Sequence, residues 1–367
     1  MRSLSVKKRL VKAVAIDLAV FAGLLNAFAY FHHVRVYDEE PVAVPGALVQ
    51  ATPAPAAAAA PADAQQDGAP TIAPAADVDL SGQFGAQFAD KFTSGEVVSD
   101  ESSYQSRNVS IRIERRQVDQ SVCFIADIYV RDVSCFRTGV ALEYSEYNTT
   151  NRKNCMQVLQ MDELTDAIVA ISGDNYVFRN GGVLAVRNGM EWKKKLPFTD
   201  DICVLLNDGS MEVFSTKSAS VCRNYVEELY TRGVYQVWCF GPRLLDDNGQ
   251  PMEKFNSSVS TENPRAAVGY YEPGHYCFVL VDGRQKDYSL GMSLSALSQL
   301  FYDLGCKLAY NLDGGDTVAM TFNDALVNHP EEEEPRAVSD ILYIGEPVGL
   351  GAQAETAAQE GAGDEVD

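Results

Sequence analysis

The sequence has 367 residues, is 46% hydrophobic and carries a formal net charge of −21 at neutral pH. A chain of this length and apolar content can bury one large core or two smaller ones, so it is not a disordered protein. Its negative charge repels nucleic acid and anionic lipid headgroups, and we therefore expect no nucleic-acid partner.

The cysteines and histidines exclude several kinds of site. The eight cysteines lie at least twelve residues apart in sequence, and no C-x-x-C pair occurs, so zinc ribbons and thioredoxin-like centres are excluded. Cys203, Cys239 and Cys277 lie within apolar runs, which favours buried thiols and few or no disulfides. After residue 33 the histidines are His275 and His329, too few for a zinc site of the H-E-x-x-H kind or a histidine-based triad.

The first part of the chain has the pattern of a membrane anchor. Residues 1–12 are basic, and residues 13–31 form an apolar run, which predicts a cytoplasmic segment followed by a transmembrane signal anchor. The remainder of the chain would then lie outside the cell. As an alternative, cleavage near Ala29 would release the protein as a secreted form.

Two regions of low complexity flank a globular region. Residues 32–82 are rich in alanine and proline and are expected to act as a semi-extended linker. Residues 349–367 are acidic and rich in alanine and glycine, which is typical of a disordered tail. Residues 83–348 therefore form the predicted folded domain.

Within this domain, strand patterns outnumber helix patterns. Residues 122–130, 276–281 and 336–344 indicate strands, and residues 202–206 and 211–214 indicate a hairpin. Asn188-Gly189 predicts a further hairpin turn. Ser293 predicts the start of an amphipathic helix that ends at Gly305. The expected class is α+β, mixed and strand-rich, in a single domain.

The stretch from Tyr310 to Met320 contains the strongest candidate site. An apolar run brings Asn311 and Asp313 to a Gly-Gly corner at Gly314 and Gly315, where polar side chains and backbone amides converge. Such a strand end is typical of a small-molecule site. The alternative interpretation is an ordinary Asp-Gly hairpin turn.

Charged side chains recur at the other predicted strand ends. Arginine can bind phosphate through two parallel hydrogen bonds, and aspartate can act as acid, base or nucleophile at an acetal carbon. Together they suit a substrate that contains a sugar and a phosphate, although each pair could instead form a salt bridge. These residues are Asp174, Asp282, Asp313, Arg187, Arg265, Arg284 and Arg336.

A series of short motifs occurs in a characteristic order. It comprises Ile171-Ser-Gly-Asp-Asn-Tyr, Gly182-Val-Leu-Ala-Val-Arg-Asn-Gly, Pro264-Arg-Ala-Ala-Val-Gly, Val281-Asp-Gly-Arg, Gly291-Met-Ser, Leu304-Gly-Cys, Asn311-Leu-Asp-Gly-Gly-Asp-Thr and Arg336-Ala-Val-Ser-Asp-Ile-Leu-Tyr-Ile. In this order the motifs resemble the phosphodiester glycosidase family from about residue 83 to residue 345. The anchor and linker look like those of members exported by Gram-positive bacteria.

This resemblance implies hydrolysis of glycosyl phosphodiesters to a sugar and a phosphomonoester. Asp313 or Asp174 would act at the anomeric carbon, and Asn311 would orient the sugar or a water. The resemblance places the phosphate and substrate contacts on Arg265, Asp282, Arg284, Gly314, Gly315 and Thr317. The stereochemical outcome depends on the separation of the carboxylates, and catalysis by carboxylates predicts a bell-shaped pH profile.

Four positions depart from the family pattern: Ser172, Ala267, Asp316 and Thr317. Asp316 adds a carboxylate beside the expected phosphate, which would be repulsive unless a metal such as Ca²⁺ lay between them. Asp316 is thus a possible metal ligand. The expected partner is a phosphodiester-linked glycan of the envelope or of external origin. The alternative function is a non-catalytic domain that binds glycopolymers or takes part in exopolysaccharide assembly.

Overall fold

The computed structural model describes residues 82–141, 155–174, 182–198, 200–255 and 257–347. The predicted cytoplasmic segment, the transmembrane anchor, nearly all of the linker and the acidic tail lie outside these ranges. Within them, no helix is long and apolar enough to cross a membrane.

Strands dominate the described residues, which form seventeen strands and three α-helices. The first eight strands are β1 (Val98–Ser99), β2 (Ser103–Gln105), β3 (Val109–Val118), β4 (Ser121–Val130), β5 (Phe136–Val140), β6 (Val169–Ser172), β7 (Val183–Arg187) and β8 (Met190–Lys195). The others are β9 (Ile202–Leu206), β10 (Met211–Phe214), β11 (Val234–Trp238), β12 (Arg265–Glu272), β13 (His275–Val281), β14 (Leu308–Asn311), β15 (Met320–Phe322), β16 (Ala325–Leu326) and β17 (Asp340–Ile344). The helices are α1 (Val158–Thr165), α2 (Ala219–Thr231) and α3 (Leu294–Asp303).

The strands form three antiparallel sheets. The first has the order β1-β2-β3-β4-β13-β12-β14, the second β10-β9-β11-β7-β8 and the third β16-β15-β6-β17-β5. Within the first sheet, β13 pairs along its whole length with the central strand β4, from His275 opposite Tyr129 to Val281 opposite Cys123. Strands β6, β7 and β9 consist of buried and largely apolar residues, as expected for strands that are covered on both faces.

The three sheets share one hydrophobic core, and each has a helix on its other face. Residues from all three sheets, such as Phe278, Leu205 and Ile171, contribute to the common core. Helix α3 covers the outer face of the first sheet, α2 that of the second and α1 that of the third. The mixed, strand-rich class predicted from the sequence is therefore confirmed for the described residues.

Several local predictions are also confirmed. Ser293 caps α3 by accepting a hydrogen bond of 3.1 Å from the backbone N–H of Ala296, and Gly305 follows the helix with a φ of 83°. Asn188 and Gly189, both with positive φ, connect β7 to β8. The closing strand is shorter than predicted, since β17 begins at Asp340 rather than at residue 336.

Candidate active site

The Asp-Gly-Gly corner lies where the first and third sheets meet. Strand β14 ends at Asn311, and the next residue remains attached to β12 because the Leu312 N–H donates to the Ala266 carbonyl over 2.8 Å. The Asp313 N–H then donates to the Gly173 carbonyl over 2.9 Å, just after the end of β6. A 3₁₀ turn at Gly315–Thr317 follows, so the hairpin turn considered as an alternative is wrong.

The Asp313 carboxyl group is buried and paired. Its residue is 4% exposed, and its Oδ2 lies 3.2 Å from Nη2 of Arg336. Burial raises the pKa of this carboxyl to about 6, although the ion pair with Arg336 and a hydrogen bond from Thr317 act in the opposite direction. A carboxyl with such a pKa changes its charge near neutral pH, as an acid or base in catalysis must.

Asp174 lies in a fully buried ionic cluster with Arg187 and Asp340. Nη2 of Arg187 is 2.8 Å from an oxygen of each carboxylate, and the Asp174 N–H donates to Asp340 Oδ1 over 2.8 Å. Burial raises the pKa of Asp340 to about 7, with Arg187 acting to lower it. Two carboxylates therefore share one guanidinium in the interior, directly beside the strand end that binds the Asp313 backbone.

Two of the three residues predicted to be catalytic contain a buried oxygen atom that lacks a hydrogen bond. Oδ1 of Asp174 and Oδ1 of Asn311 have no partner among the described residues. The Asn311 side chain is otherwise fixed, since its amide nitrogen donates to the Gly241 carbonyl over 2.8 Å. Buried oxygens without partners are rare in folded proteins. Each atom therefore retains an unused capacity to accept a hydrogen bond.

Arg265 and Gly315 bind backbone carbonyls rather than an open ligand position. The buried Arg265 guanidinium donates to the carbonyls of Met292 and Val259 over 2.9 and 2.6 Å, and burial lowers its pKa to about 10. The Gly315 N–H donates to the Pro264 carbonyl over 3.0 Å. The phosphate contacts predicted for these two groups would require both to exchange partners.

The Asp282 carboxylate holds two loops together through hydrogen bonds. Its carboxylate accepts hydrogen bonds from Asn328 Nδ2 over 2.7 Å, from the Tyr288 hydroxyl over 3.0 Å and from the His329 N–H over 3.0 Å. Burial raises its pKa. In this arrangement Asp282 is a structural neighbour of the site, and the predicted contact with substrate stays a prediction.

Arg284 is the most accessible of the predicted phosphate ligands. Its guanidinium pairs with the Asp316 carboxylate and lies 3.7 Å from Glu331 Oε2, with 38% of its side chain exposed. Thr317, in contrast, is buried and donates its hydroxyl to the Gly314 carbonyl over 3.1 Å. No group of three His, Cys, Asp or Glu side chains in the described ranges is arranged to hold a metal ion. A Ca²⁺ ion at Asp316 stays a prediction.

Three members of the site were not among the residues predicted to act in it. Arg187 and Arg336 were noted only as charged strand-end residues, and Asp340 only as part of a motif. The one available signal for Asp340 was a lone carboxylate at the start of the apolar run Ile341-Leu-Tyr-Ile. Such a residue needs a buried cation, and Arg187 supplies it.

A polar cleft of about 480 Å³ lies elsewhere, on the first sheet. The side chains that line it include Arg112, Asp127 and His275. His275 Nε2 lies 2.7 Å from Asp127 Oδ1, and its ring is stacked against those of Tyr129 and Tyr271. Because both faces of its ring are covered, His275 has a packing role in this cleft. We therefore place the candidate active site at Asp313 and not in this cleft.

Comparisons with known proteins show which families and folds the chain is similar to. Residues 165–345 match the family model described as phosphodiester glycosidase, and this segment contains Asp174, Asp313 and Arg336. This segment is therefore similar to the phosphodiester glycosidase family, in agreement with the resemblance for these residues.

One solved structure and one curated protein are similar to larger parts of the chain. The catalytic domain of zebrafish N-acetylglucosamine-1-phosphodiester alpha-N-acetylglucosaminidase, auto-inhibited by its pro-peptide, has a TM-score of 0.52 and 18% identity, covering 75% of this chain and 97% of that domain. This likeness shows the fold alone. The SPbeta prophage-derived uncharacterized protein YomE of Bacillus subtilis (strain 168) is 27% identical over 219 residues, or 58% of this chain. The match spans 32% of that relative's length.

Proposed function

We propose that the protein hydrolyses glycosyl phosphodiesters, releasing a sugar and a phosphomonoester. The observation that supports this most strongly concerns the Asp313 carboxyl, which is buried and paired with Arg336. Burial raises the pKa of this carboxyl to about 6. It lies in the segment that matches the phosphodiester glycosidase family model. The zebrafish enzyme with a similar fold is named for an N-acetylglucosamine-1-phosphodiester, so this ester is the first substrate to test.

The residues suggest how the bond would be broken. The bond between the anomeric carbon and the phosphate oxygen breaks, its electron pair stays on that oxygen, and the oxygen of a water forms the new bond to carbon. A phosphate is already a good leaving group, so a proton donor is less important than a carboxylate at the anomeric carbon. We assign that carboxylate to Asp313 in its ionised form, which accepts the proton lost by the water.

Arg187 and Asp340 would position the second carboxylate rather than react themselves. Asp174 Oδ2 is fixed by Arg187 and by the Cys239 N–H, both over 2.8 Å, while Oδ1 is left without a partner. A carboxylate fixed on one oxygen presents the other in a defined direction. In this proposal Asp174 accepts a hydrogen bond from the sugar or from the attacking water.

The predicted setting is extracytoplasmic. The basic and apolar N-terminal pattern supports a membrane tether with the domain outside, where glycans of the envelope or from external sources would be accessible. These residues lie outside the described ranges, so the tether and the glycan class stay proposals.

The test is turnover of a synthetic N-acetylglucosamine-1-phosphodiester by the full-length protein, followed by NMR, with and without Ca²⁺. We expect free sugar and phosphomonoester in equal amounts, and loss of both products in Asp313→Asn. Asp303→Asn is the matched control, since Asp303 lies on the exposed side of α3 and accepts one hydrogen bond, from Gln299. Absence of turnover in the folded wild-type protein, or full turnover in Asp313→Asn, would contradict the proposal.

A second candidate function is glycopolymer binding without catalysis. It is favoured by one observation: Asp316, which departs from the family pattern, pairs with Arg284, so the arginine expected to stabilise the phosphate during bond breaking already has a partner. A binding domain would show saturable affinity for a phosphodiester-linked glycan and no product formation. Affinity without turnover for the same esters would establish this second function in place of the first.

A further inference from the structure

The Arg284–Asp316 ion pair lies beside the corner that contains Asp313. Asp316 belongs to the 3₁₀ turn at Gly315–Thr317, and its backbone carbonyl accepts a hydrogen bond of 2.8 Å from the Arg336 N–H. A Cβ placed on Gly315 would be 3.1 Å from Arg284 Nη2, so the guanidinium rests on the bare backbone of that glycine. Asp316 is therefore connected to both exposed arginines of the site, by its side chain to Arg284 and by its backbone to Arg336.

Little space remains beside this ion pair. The adjoining cavity, lined by residues that include Gly315, Asp316, Glu331 and Glu332, has a volume of about 10 Å³. That is about the space that one water molecule needs. This cavity is therefore too small for a phosphate group.

Displacement of the Asp316 carboxylate is nevertheless feasible. The Asp316 side chain is 52% exposed and the Arg284 side chain 38% exposed. Ion pairs at such exposed positions are weak because water and salt screen them. A phosphodiester offers two oxygens to the same guanidinium and can compete with one carboxylate.

We propose that Asp316 determines the specificity of the site. Its carboxylate acts as an internal anion that pairs with Arg284 until a phosphodiester displaces the carboxylate from the guanidinium. This inference rests on the proposed function, since it places the phosphate at Arg284. An uncharged glycoside cannot replace a carboxylate on arginine, so the site would select anionic esters. Asp316 and Glu331 also repel bound anions in proportion to their charge, which weakens binding of a dianionic phosphomonoester more than that of a monoanionic diester.

The test is calorimetric binding of two probes, dimethyl phosphate and inorganic phosphate at a slightly alkaline pH, to the full-length protein. We expect Asp316→Asn to bind dimethyl phosphate about tenfold more tightly than the wild type, and inorganic phosphate with a larger gain, because one competing and repelling charge is removed. Asp316→Ser serves as a second variant in case the amide replaces the ion pair by a hydrogen bond. Glu114→Gln is the matched control, since Glu114 forms an ion pair of 2.8 Å with Arg116 on β3 and the two side chains are 54% and 36% exposed.

Arg284→Gln completes the test. It should abolish the gain in affinity, so that Arg284→Gln/Asp316→Asn binds no better than Arg284→Gln alone. The proposal is overturned if both Asp316 variants bind the probes as the wild type does, if the gain persists without Arg284, or if no form of the protein binds either probe. A turnover assay on the same proteins separates the two proposals. A gain in binding without turnover contradicts the proposed hydrolysis but not the role of Asp316. Turnover without a gain in binding contradicts the role of Asp316 but not the hydrolysis.

Discussion

The backbone N–H of Asp313 donates a hydrogen bond of 2.9 Å to the carbonyl oxygen of Gly173. The bond joins the corner after β14, in the first sheet, to the turn after β6, in the third. The Ser172 hydroxyl reinforces it by donating to the Asp313 carbonyl over 3.1 Å. Because Asp174 follows Gly173 directly, this junction brings two carboxylates from distant parts of the chain into one site.

Arg336 is expected to control the pH at which Asp313 ionises. Its guanidinium stabilises the ionised carboxylate, so Arg336→Gln should raise the pKa of Asp313 above its value of about 6. If ionised Asp313 is the active form, the acidic limb of the kcat/KM profile should move to higher pH by about one unit. Arg116→Gln, at the exposed ion pair with Glu114 on β3, is the control. An unshifted limb in the active Arg336→Gln variant would show that Asp313 does not govern that limb.

Arg187 is expected to contribute strongly to the stability of the folded protein. Arg187→Met would leave Asp174 and Asp340 as two buried carboxylates without their cation, which typically costs about 3–5 kcal/mol of unfolding free energy. Urea denaturation of the wild type, Arg187→Met and the surface control Arg116→Met measures this difference. A loss below about 1 kcal/mol would show that the ionic cluster contributes little.

The loss of unfolding free energy in Arg187→Met should depend on pH, because Asp340 belongs to the same ionic cluster. The folded-state pKa of Asp340, about 7, lies above the ordinary value of an aspartate, so the folded protein binds this proton more tightly than the unfolded chain. Ionisation of Asp340 therefore lowers stability as the pH rises from about 4 to about 7. Without Arg187 the pKa rises further, so Arg187→Met should be more destabilised at about pH 8 than at about pH 5. An equal loss at both pH values would contradict this assignment.

Asp282 is expected to fix the loop that contains His329. Asp282→Ala removes the acceptor of the hydrogen bonds from Asn328, Tyr288 and the His329 N–H. We expect the unfolding free energy to fall by about 2–4 kcal/mol and hydrogen exchange at the His329 amide to accelerate. Asp303→Ala, which removes one exposed acceptor on α3, is the control. Unchanged exchange at His329 would mean that other contacts hold the loop.

Much of the fold follows from local sequence patterns. The apolar run around Val281 and the Asn188-Gly189 turn predict their elements because backbone preference and burial agree there. The cap at Ser293 likewise predicts the start of α3. By contrast, the division into three sheets depends on pairings such as β6 with β17, which join residues far apart in sequence. Short-range patterns contain no information on such pairings.

The candidate site could be predicted only in part for the same reason. Asp313 was found because its Gly-Gly corner is visible in the sequence. Arg265 looked equally suitable as a phosphate ligand, yet three-dimensional packing directs its guanidinium onto the carbonyls of Met292 and Val259. The Asp313–Arg336 and Asp174–Asp340 contacts likewise depend on tertiary structure.

The most direct test of the proposed function is hydrolysis of a synthetic N-acetylglucosamine-1-phosphodiester in water enriched in ¹⁸O, analysed by mass spectrometry of both products. A glycosidase that uses Asp313 should place the label on the anomeric oxygen of the sugar and leave the phosphomonoester unlabelled, and Asp313→Asn should yield neither product. Label in the phosphate would show that the phosphorus–oxygen bond is cleaved instead. That result, or labelled sugar from Asp313→Asn at the wild-type rate, would contradict glycosyl transfer to water at this site.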